Sequence, residues 1–440
     1  MRLAKWFMVA VLTAGTLAAV SSAQRFTQTI FSTYEPLVLR VEGPLDDLIA
    51  HAQQDNYSVR GALTYRDGGQ DVQVPGVKIS VRGHTSRNES ECTFPKLKLE
   101  WASGSLKIGT HCGESTDSSV TPRFGRLPNE RSPLREAFVY QLLDTLEVPS
   151  LKARPARITY VSGPKEPLVR NGLVLEEESD ALHRVGAHKE IPPEQFTSAR
   201  EAFSPADSAA LAFAEAMIGN FDWCLRFFPG DTYRCDARRP LWNVLAFAWS
   251  DGTVRPLMYD FDVSGIVAGQ HRWFNDVFNE AFLPSASHAQ IEVISQLQRT
   301  RTLFARADLD RTRQRFMEKK ADAYRALDRS DVDADGRRTI KEYLDAFFDG
   351  IGSDEAFYRP VVTARDTAAY ADANRSTSVC SARGAIPVGT PVSDPLQTSG
   401  DMIQVRVLDA LWHWAPPVTC PEMHKTAVWI DKAAVGRDYP

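Results

Sequence analysis

The chain has 440 residues, 51 basic against 56 acidic side chains, and a formal charge of −5. A mildly acidic chain without a basic block is a poor nonspecific binder of nucleic acid. The length suits two domains, or one large domain with an appendage.

The first residues, MRLAKWFMVAVLTAGTLAAVSSAQ, carry Arg2 and Lys5, then an apolar segment, then small residues ending in SSA. This pattern predicts a secretory signal peptide over residues 1–23, cleaved after Ala23. The apolar run is short for a spanning helix, and no stop-transfer pattern follows. Cleavage takes the formal charge to about −7. Export implies an oxidising compartment, periplasmic or extracellular, with no transmembrane segment once the signal is removed. All six cysteines fall beyond the signal, in sequence-local couples: Cys92 with Cys112, Cys224 with Cys235, Cys380 with Cys420. That is one of about fifteen pairings open to six cysteines. No Cys-x-x-Cys or His-x-x-x-His accompanies them, which argues against zinc.

Residues 24–75 read as a strand-poor N-terminal region with one strand in FSTYEPLVLRVEG. VKISVRG and KLKLEW alternate apolar and polar residues and are expected as half-buried strands flanking a polar loop. Spacing by two sets Lys96 and Lys98 on one face of the second. RSPLREAFVYQLLDTLEV predicts an amphipathic helix with Ser132 as N-cap and Pro133 first. ARITYVSG and NGLVLEEESD follow as a hairpin. SPADSAALAFAEAMIGN is a second helix, capped by Ser204, started by Pro205 and stopped by Gly219.

NVLAFAWSDGTVRPLMYDFD reads as a tight hairpin with a type I′ turn at Asp251-Gly252. Residues 287–350 are helical and charged. Beyond about residue 357 short strands separated by turn residues predict a small all-β module.

The chemistry concentrates around that hairpin. Asp222 falls on a loop past a helix end, Asn243 starts the first strand, and Asp260 and Asp262 end the second. Phosphoryl transfer needs one carboxylate to orient the attacking hydroxyl, and carboxylates with an amide to hold Mg²⁺, which prefers hard oxygen ligands. Basic groups come from VRGHTSR and FPKLKLEW, through Arg82 and a strand lysine. Glu177 and Asp180 of EEESD are candidate partners, and His84 lies in the glycine loop. A second motif, DVDADGRRTIKE, spaces Asp331, Asp333, Asp335, Gly336 and Glu342 as in a calcium-binding EF-hand loop, with Arg338 where an apolar residue is usual.

These elements, in order, resemble the CotH kinase-like proteins, secreted relatives of the protein-kinase-like fold. RGHTSR…FPKLKLEW is similar to the family's Arg-Gly-x-Ser stretch and lysine strand. GLVLEEESD resembles its Gly-x-Tyr…Glu-x-x-Asp segment, without the tyrosine and with shorter spacing. GNFD and YDFDVSG resemble its Gly-Asn-x-Asp and Asp-x-Asp elements. The resemblance covers about residues 76–350. The C-terminal strands IPVGTPV, IQVRV and TAVWIDKAAV resemble a bacterial SH3-like domain, with Trp412, His413 and Trp414 as an aromatic cluster.

The resemblance implies an α+β chain: a two-lobe, CotH-like kinase domain over residues 76–356 and an SH3-like barrel over 380–440. It implies an exported kinase transferring phosphate from Mg-ATP to a protein hydroxyl or a cell-envelope acceptor. Asp222 would orient the acceptor, Asn243, Asp260 and Asp262 would hold Mg²⁺, and Arg82, Lys98 and Glu177 would contact the nucleotide. The alternative is an inactive pseudokinase scaffold that binds cell-wall or peptide ligands through its SH3-like module. It draws on the disrupted surroundings of Asp222, where NFDWCLRFF lacks the family's basic residue and a long segment precedes Asn243. A third reading is a calcium-dependent adhesion protein.

Overall fold

The computed structural model describes residues 30–112, 129–193, 203–225, 240–269, 286–408 and 423–437, short of positions 68, 90, 91, 103, 360, 380–385, 424 and 425. The expected signal peptide, Cys235, Cys380, Cys420 and the Trp412–His413–Trp414 cluster lie outside the described residues.

The N-terminal half closes into a seven-stranded barrel. Strands β1 (Leu37–Glu42), β2 (Ser58–Asp67), β3 (Gln70–Val81), β4 (Leu97–Trp101) and β5 (Gly104–Gly109) run as antiparallel neighbours, with the short helix α1 (Leu45–Ala50) after β1. A hairpin of β6 (Ala153–Val161) and β7 (Leu168–Leu175) completes the circle, β7 on β5 and β6 parallel to β1. Closure leaves no unpaired edge. Alternation explains the layers: β1 reads buried, exposed, buried throughout, and Leu39, Ile79, Leu99 and Ile158 fill the interior.

Strands β2 and β3 occupy 58–81, much of the region expected to be strand-poor. Their period-two signal is broken at Gly76, where φ is 69° and the register with Gly61 and Ala62 shifts. A bulge of that kind hides a strand from an alternation count.

The helical body packs around a second core. Helix α2 (Ser132–Thr145) starts as expected at Ser132–Pro133, but Ser132 is its first residue and Arg131, without a side-chain cap bond, holds the N-cap position. Helix α3 (Glu178–Val185) stops at left-handed Gly186. In helix α4 (Pro205–Met217), Ser204 Oγ accepts from the Asp207 amide at 3.3 Å, and the chain turns at Gly219, φ 61°. A small sheet of β8 (Lys189–Ile191), β11 (Val244–Ala248) and β12 (Val254–Met258) lies beside the pair β9 (Cys224–Leu225) and β10 (Leu241–Trp242).

The β11–β12 hairpin forms, but its turn is not type I′. Of Asp251 and Gly252 only Gly252 has positive φ, and Trp249 N–H closes a five-residue loop onto the Thr253 carbonyl at 2.9 Å. A type I′ turn requires two left-handed residues.

Helices α5 (Gly265–Ala268), α6 (His288–Leu303), α7 (Arg306–Glu318), α8 (Lys320–Asp328), α9 (Ala334–Ile351) and α10 (Asp354–Phe357) follow. Phe213, Phe316, Phe347 and Phe357 pack ring on ring at the centre of this body. Strands β13 (Val361–Thr363), β14 (Pro391–Val392) and β18 (Val435–Gly436) form one C-terminal sheet; β15 (Gln397–Ser399), β16 (Met402–Val405) and β17 (Val428–Asp431) form another. They share a separate small core. The molecule is thus mixed α+β. Among the described residues no helix is long and apolar enough to cross a membrane.

Candidate functional site

Two residues leave ordinary backbone space where the hairpin meets the helical body. Asn243 has φ 53° and Asp260 has φ 64°. Asn and Asp tolerate this left-handed region better than other side chains, yet it is sparsely populated and concentrates at functional positions. The two face each other: Val244 pairs with Met258, and the Asn243 carbonyl accepts from the Tyr259 amide at 3.4 Å.

Asn243 also reaches Asp222. Its Nδ2 donates to the Asp222 carbonyl at 2.6 Å and to Oδ2 at 3.1 Å, while Trp242 Nε1 donates to Asp222 Oδ1 at 3.0 Å. The loop that presents Asp222 stands on buried amides. Asn220 Oδ1 accepts from the Asp222 amide at 2.9 Å, and Asn220 Nδ2 donates to Glu215 at 2.8 Å. Glu215 is fully buried, and burial pushes its carboxyl well above the usual range. Asp222 and Asn243 are therefore in contact, and Asn243 meets the end of β12 through its backbone, while the Asp260 and Asp262 carboxylates turn to Lys96.

The barrel contributes the cation. Lys96, just before β4, places Nζ 2.8 Å from Asp260 Oδ1 and 2.8 Å from Asp262 Oδ2. The lysine side chain is 11% exposed and the two carboxylates 35% and 38%, so the ammonium forms the floor and the acids the mouth. Burial opposes the charge on Lys96, but Asp260, Asp262 and then Glu136 outweigh it and its pKa rises. Burial likewise pushes Asp260 up; the Lys96 charge and hydrogen bond, with Arg82, bring it below the usual carboxylate range. Arg82 adjoins Lys96 through its amide, which donates to the Lys96 carbonyl at 2.9 Å, and its buried Nε has no hydrogen-bond partner among the described residues.

Helix α2 closes the site from behind. Tyr140 Oη accepts from the Asp260 amide at 3.1 Å, and its ring packs on Phe261 with centroids 4.8 Å apart. Glu136, one turn earlier, is buried, 7% exposed, and acts on Lys96 electrostatically. Neither residue is singled out by motif. The available signal is an acid on the apolar stripe of a helix, since Glu136, Tyr140 and Leu143 share a face.

The strand lysine facing the aspartates is thus Lys96. Lys98, the residue expected to contact nucleotide, lies 3.6 Å from Glu177 and 3.7 Å from Glu100. Glu177 is also 3.4 Å from Lys107, which pairs with Glu178. This second acid–base group continues along the same outer face of β4 and β5, where Lys98 and Lys107 are register partners.

The expected calcium loop does not form. Residues 334–351 are one continuous helix, so Asp335 and Glu342 stand on α9 while Asp333 is its N-cap. Asp331 stays exposed ahead of it. An EF-hand needs its twelve residues looped around the ion, whereas here the helix already begins at Ala334, the fourth position of the motif.

A disulfide joins Cys92 to Cys112, as the local pairing expects, and staples the approach to Lys96 to the end of β5. Cys224 is disulfide-bonded.

A scan against protein-family models finds no match, and a search of curated proteins finds none. Among solved structures, this chain is similar to the proinflammatory kinase CtkA of Helicobacter pylori, at 8% identity and a TM-score of 0.29, over 57% of this chain and 90% of that one. A likeness that distant carries no argument about fold or activity.

Proposed function

We propose that the site where Lys96 of the barrel meets Asp260 and Asp262 binds a Mg²⁺-nucleotide and transfers its terminal phosphoryl group to a hydroxyl acceptor. The observation that carries the reading is Lys96, one nearly enclosed ammonium from the barrel shared by two carboxylates just past β12. Carboxylates that converge on one cation suit a hard divalent ion, and the Asn243 amide oxygen, left over when its Nδ2 donates to Asp222, adds an oxygen donor. Asp260, Asp262 and Asn243 would hold Mg²⁺, which when bound neutralises phosphate charge. Lys96 and Arg82 neutralise the phosphate oxygens from the barrel side. Asp222 orients the acceptor hydroxyl. Lys98 and Glu177 meet a more distant part of the nucleotide along the same strands. The compartment in this reading is periplasmic or extracellular, which fits the Cys92–Cys112 bond. The acceptor is a protein hydroxyl or an envelope component, and the C-terminal sheets serve as an SH3-like ligand-binding module.

The test is phosphate transfer from labelled ATP by the disulfide-intact protein, with Lys96→Met, Asp222→Asn and Asp260→Asn as comparisons. Each variant is expected to lose about 10²–10³-fold in rate. Wild type that neither transfers phosphate nor binds Mg-ATP sinks the reading. One feature favours a binding-only scaffold: both Asp222 carboxylate oxygens already accept hydrogen bonds, from Trp242 and Asn243. That reading predicts Mg-ATP binding without turnover, and loss of binding in Asp260→Asn alone.

A further inference from the structure

Arg135 precedes Glu136 on α2 and is fully buried, 0% exposed. Its Nε donates to the Val267 carbonyl at 2.6 Å, and its Nη1 lies 3.2 Å from Asp333 Oδ2. Val267 belongs to α5, the turn that continues from Asp262 after two residues. Asp333 is fixed in its own right, since its Oδ1 accepts from the Gly336 amide at 3.0 Å at the start of α9. Gly336 leaves the space: a Cβ there would come within 2.7 Å of Arg135 Cδ and 2.8 Å of Val332 Cγ1. The Asp-x-x-Gly spacing that imitates a calcium loop thus builds a socket for one arginine.

The elements joined by that arginine are ones that carry or touch residues of the candidate site. Helix α2 carries the buried Glu136 and places Tyr140 on the Asp260 amide. The α5 turn is tied in turn to the loop of Asp222: the Gly265 and Ile266 amides donate to the Gly219 and Ile218 carbonyls at 3.0 and 3.1 Å.

We propose that Arg135, seated in the Asp333–Gly336 socket, is a positioning residue that locks α2 to α5 and so holds Tyr140 against the Asp260 amide and fixes the turn that carries Asp260 and Asp262. It deepens the phosphoryl-transfer reading and rests on that reading only for its effect on turnover.

Hydrogen exchange followed by mass spectrometry on the full chain tests it. Asp333→Asn keeps an oxygen for the Gly336 amide and removes the charge facing Arg135. Arg135→Lys keeps the charge and loses the fork that bridges two acceptors. In both, exchange over residues 257–268 is expected to rise about tenfold, while strands β1 to β3 keep wild-type rates, because only the local opening changes. Wild-type exchange over 257–268 in the folded variants overturns the proposal, as does a rise spread evenly through the chain. Should Arg135→Lys not fold, Asp333→Asn decides alone. Exchange needs no turnover, so failure here is distinct from an inert protein under labelled ATP. If turnover is found, both variants lower kcat/KM for ATP, and wild-type kcat/KM in both also overturns the proposal.

Discussion

At the scale of single residues, the candidate site is governed by charges crowded around one buried ammonium, Lys96. Glu136 sits behind an ammonium whose nearest partners are already two carboxylates. Burial pushes its carboxyl up to about 8, Lys96 offsets part of this, and Asp262 and Asp260 add to it. The folded chain therefore keeps a proton that the unfolded chain releases near the ordinary Glu value. The contribution to stability is complete below that value and is lost as pH rises through about 8. Wild type is expected to lose denaturant resistance across that window, and Glu136→Gln to flatten the loss. Equal slopes in urea midpoints against pH would show that Glu136 does not titrate there. The same crowding explains why Lys96 was hard to prefer over Lys98 in advance. Spacing by two sets both on one face, and only their tertiary partners, Asp260 and Asp262 against Glu177, distinguish them.

At the scale of elements, the approach to Lys96 is a loop held at both ends. The Cys92–Cys112 bond closes a separation of 20 residues and Thr110 Oγ1 donates to the Phe94 carbonyl at 2.7 Å, so the chain before Lys96 cannot drift from β5. A loop of that length predicts a loss of about 3 kcal/mol for Cys92→Ser with Cys112→Ser, measured by chemical denaturation. A variant within about 0.5 kcal/mol of wild type would show that the staple does not hold this loop. Helix boundaries were legible because their signals are local: Ser204 and Pro205 start α4, and Gly219 ends its last turn. The β2–β3 hairpin was not, because its bulge at Gly76 interrupts the alternation, and pairing across the barrel supplies what the pattern lacks.

For the whole molecule, the C-terminal sheets are a separate core joined to the helical body at a few polar points. Arg301, 3% exposed on α6, donates to the Arg437 carbonyl and to Gln298, which in turn donates to the Arg359 carbonyl. The Arg301 guanidinium also lies over the Tyr358 ring, 5.4 Å from its centroid. Arg301→Ala leaves the buried Gln298 carbonyl without this donor and is expected to remove about 2 kcal/mol. Calorimetry should then show the C-terminal sheets melting ahead of the rest. A single transition at the wild-type temperature would mean that the clasp does not couple the two cores.

The amino-acid sequence by itself determined the elements that carry their own signals: the capped helices, the alternating strands, and the hairpin of β11 and β12; which cysteines pair was one choice among several until the structure joined Cys92 to Cys112. It also marked Asp222, Asn243 and Asp260 as candidates that meet at one hairpin end, because they are close along the chain or across one turn. Only the tertiary structure decided which cation they face. Lys96 and Asp260 are 164 residues apart, and no local pattern encodes that distance. It also decided against the calcium loop. Spacing specifies which side chains share a segment, whereas a helix running through Gly336 depends on burial of Ile340, Tyr343 and Phe347 against the body. Tertiary burial overrode the local motif, and Asp333 became the cap of a helix and the seat of Arg135.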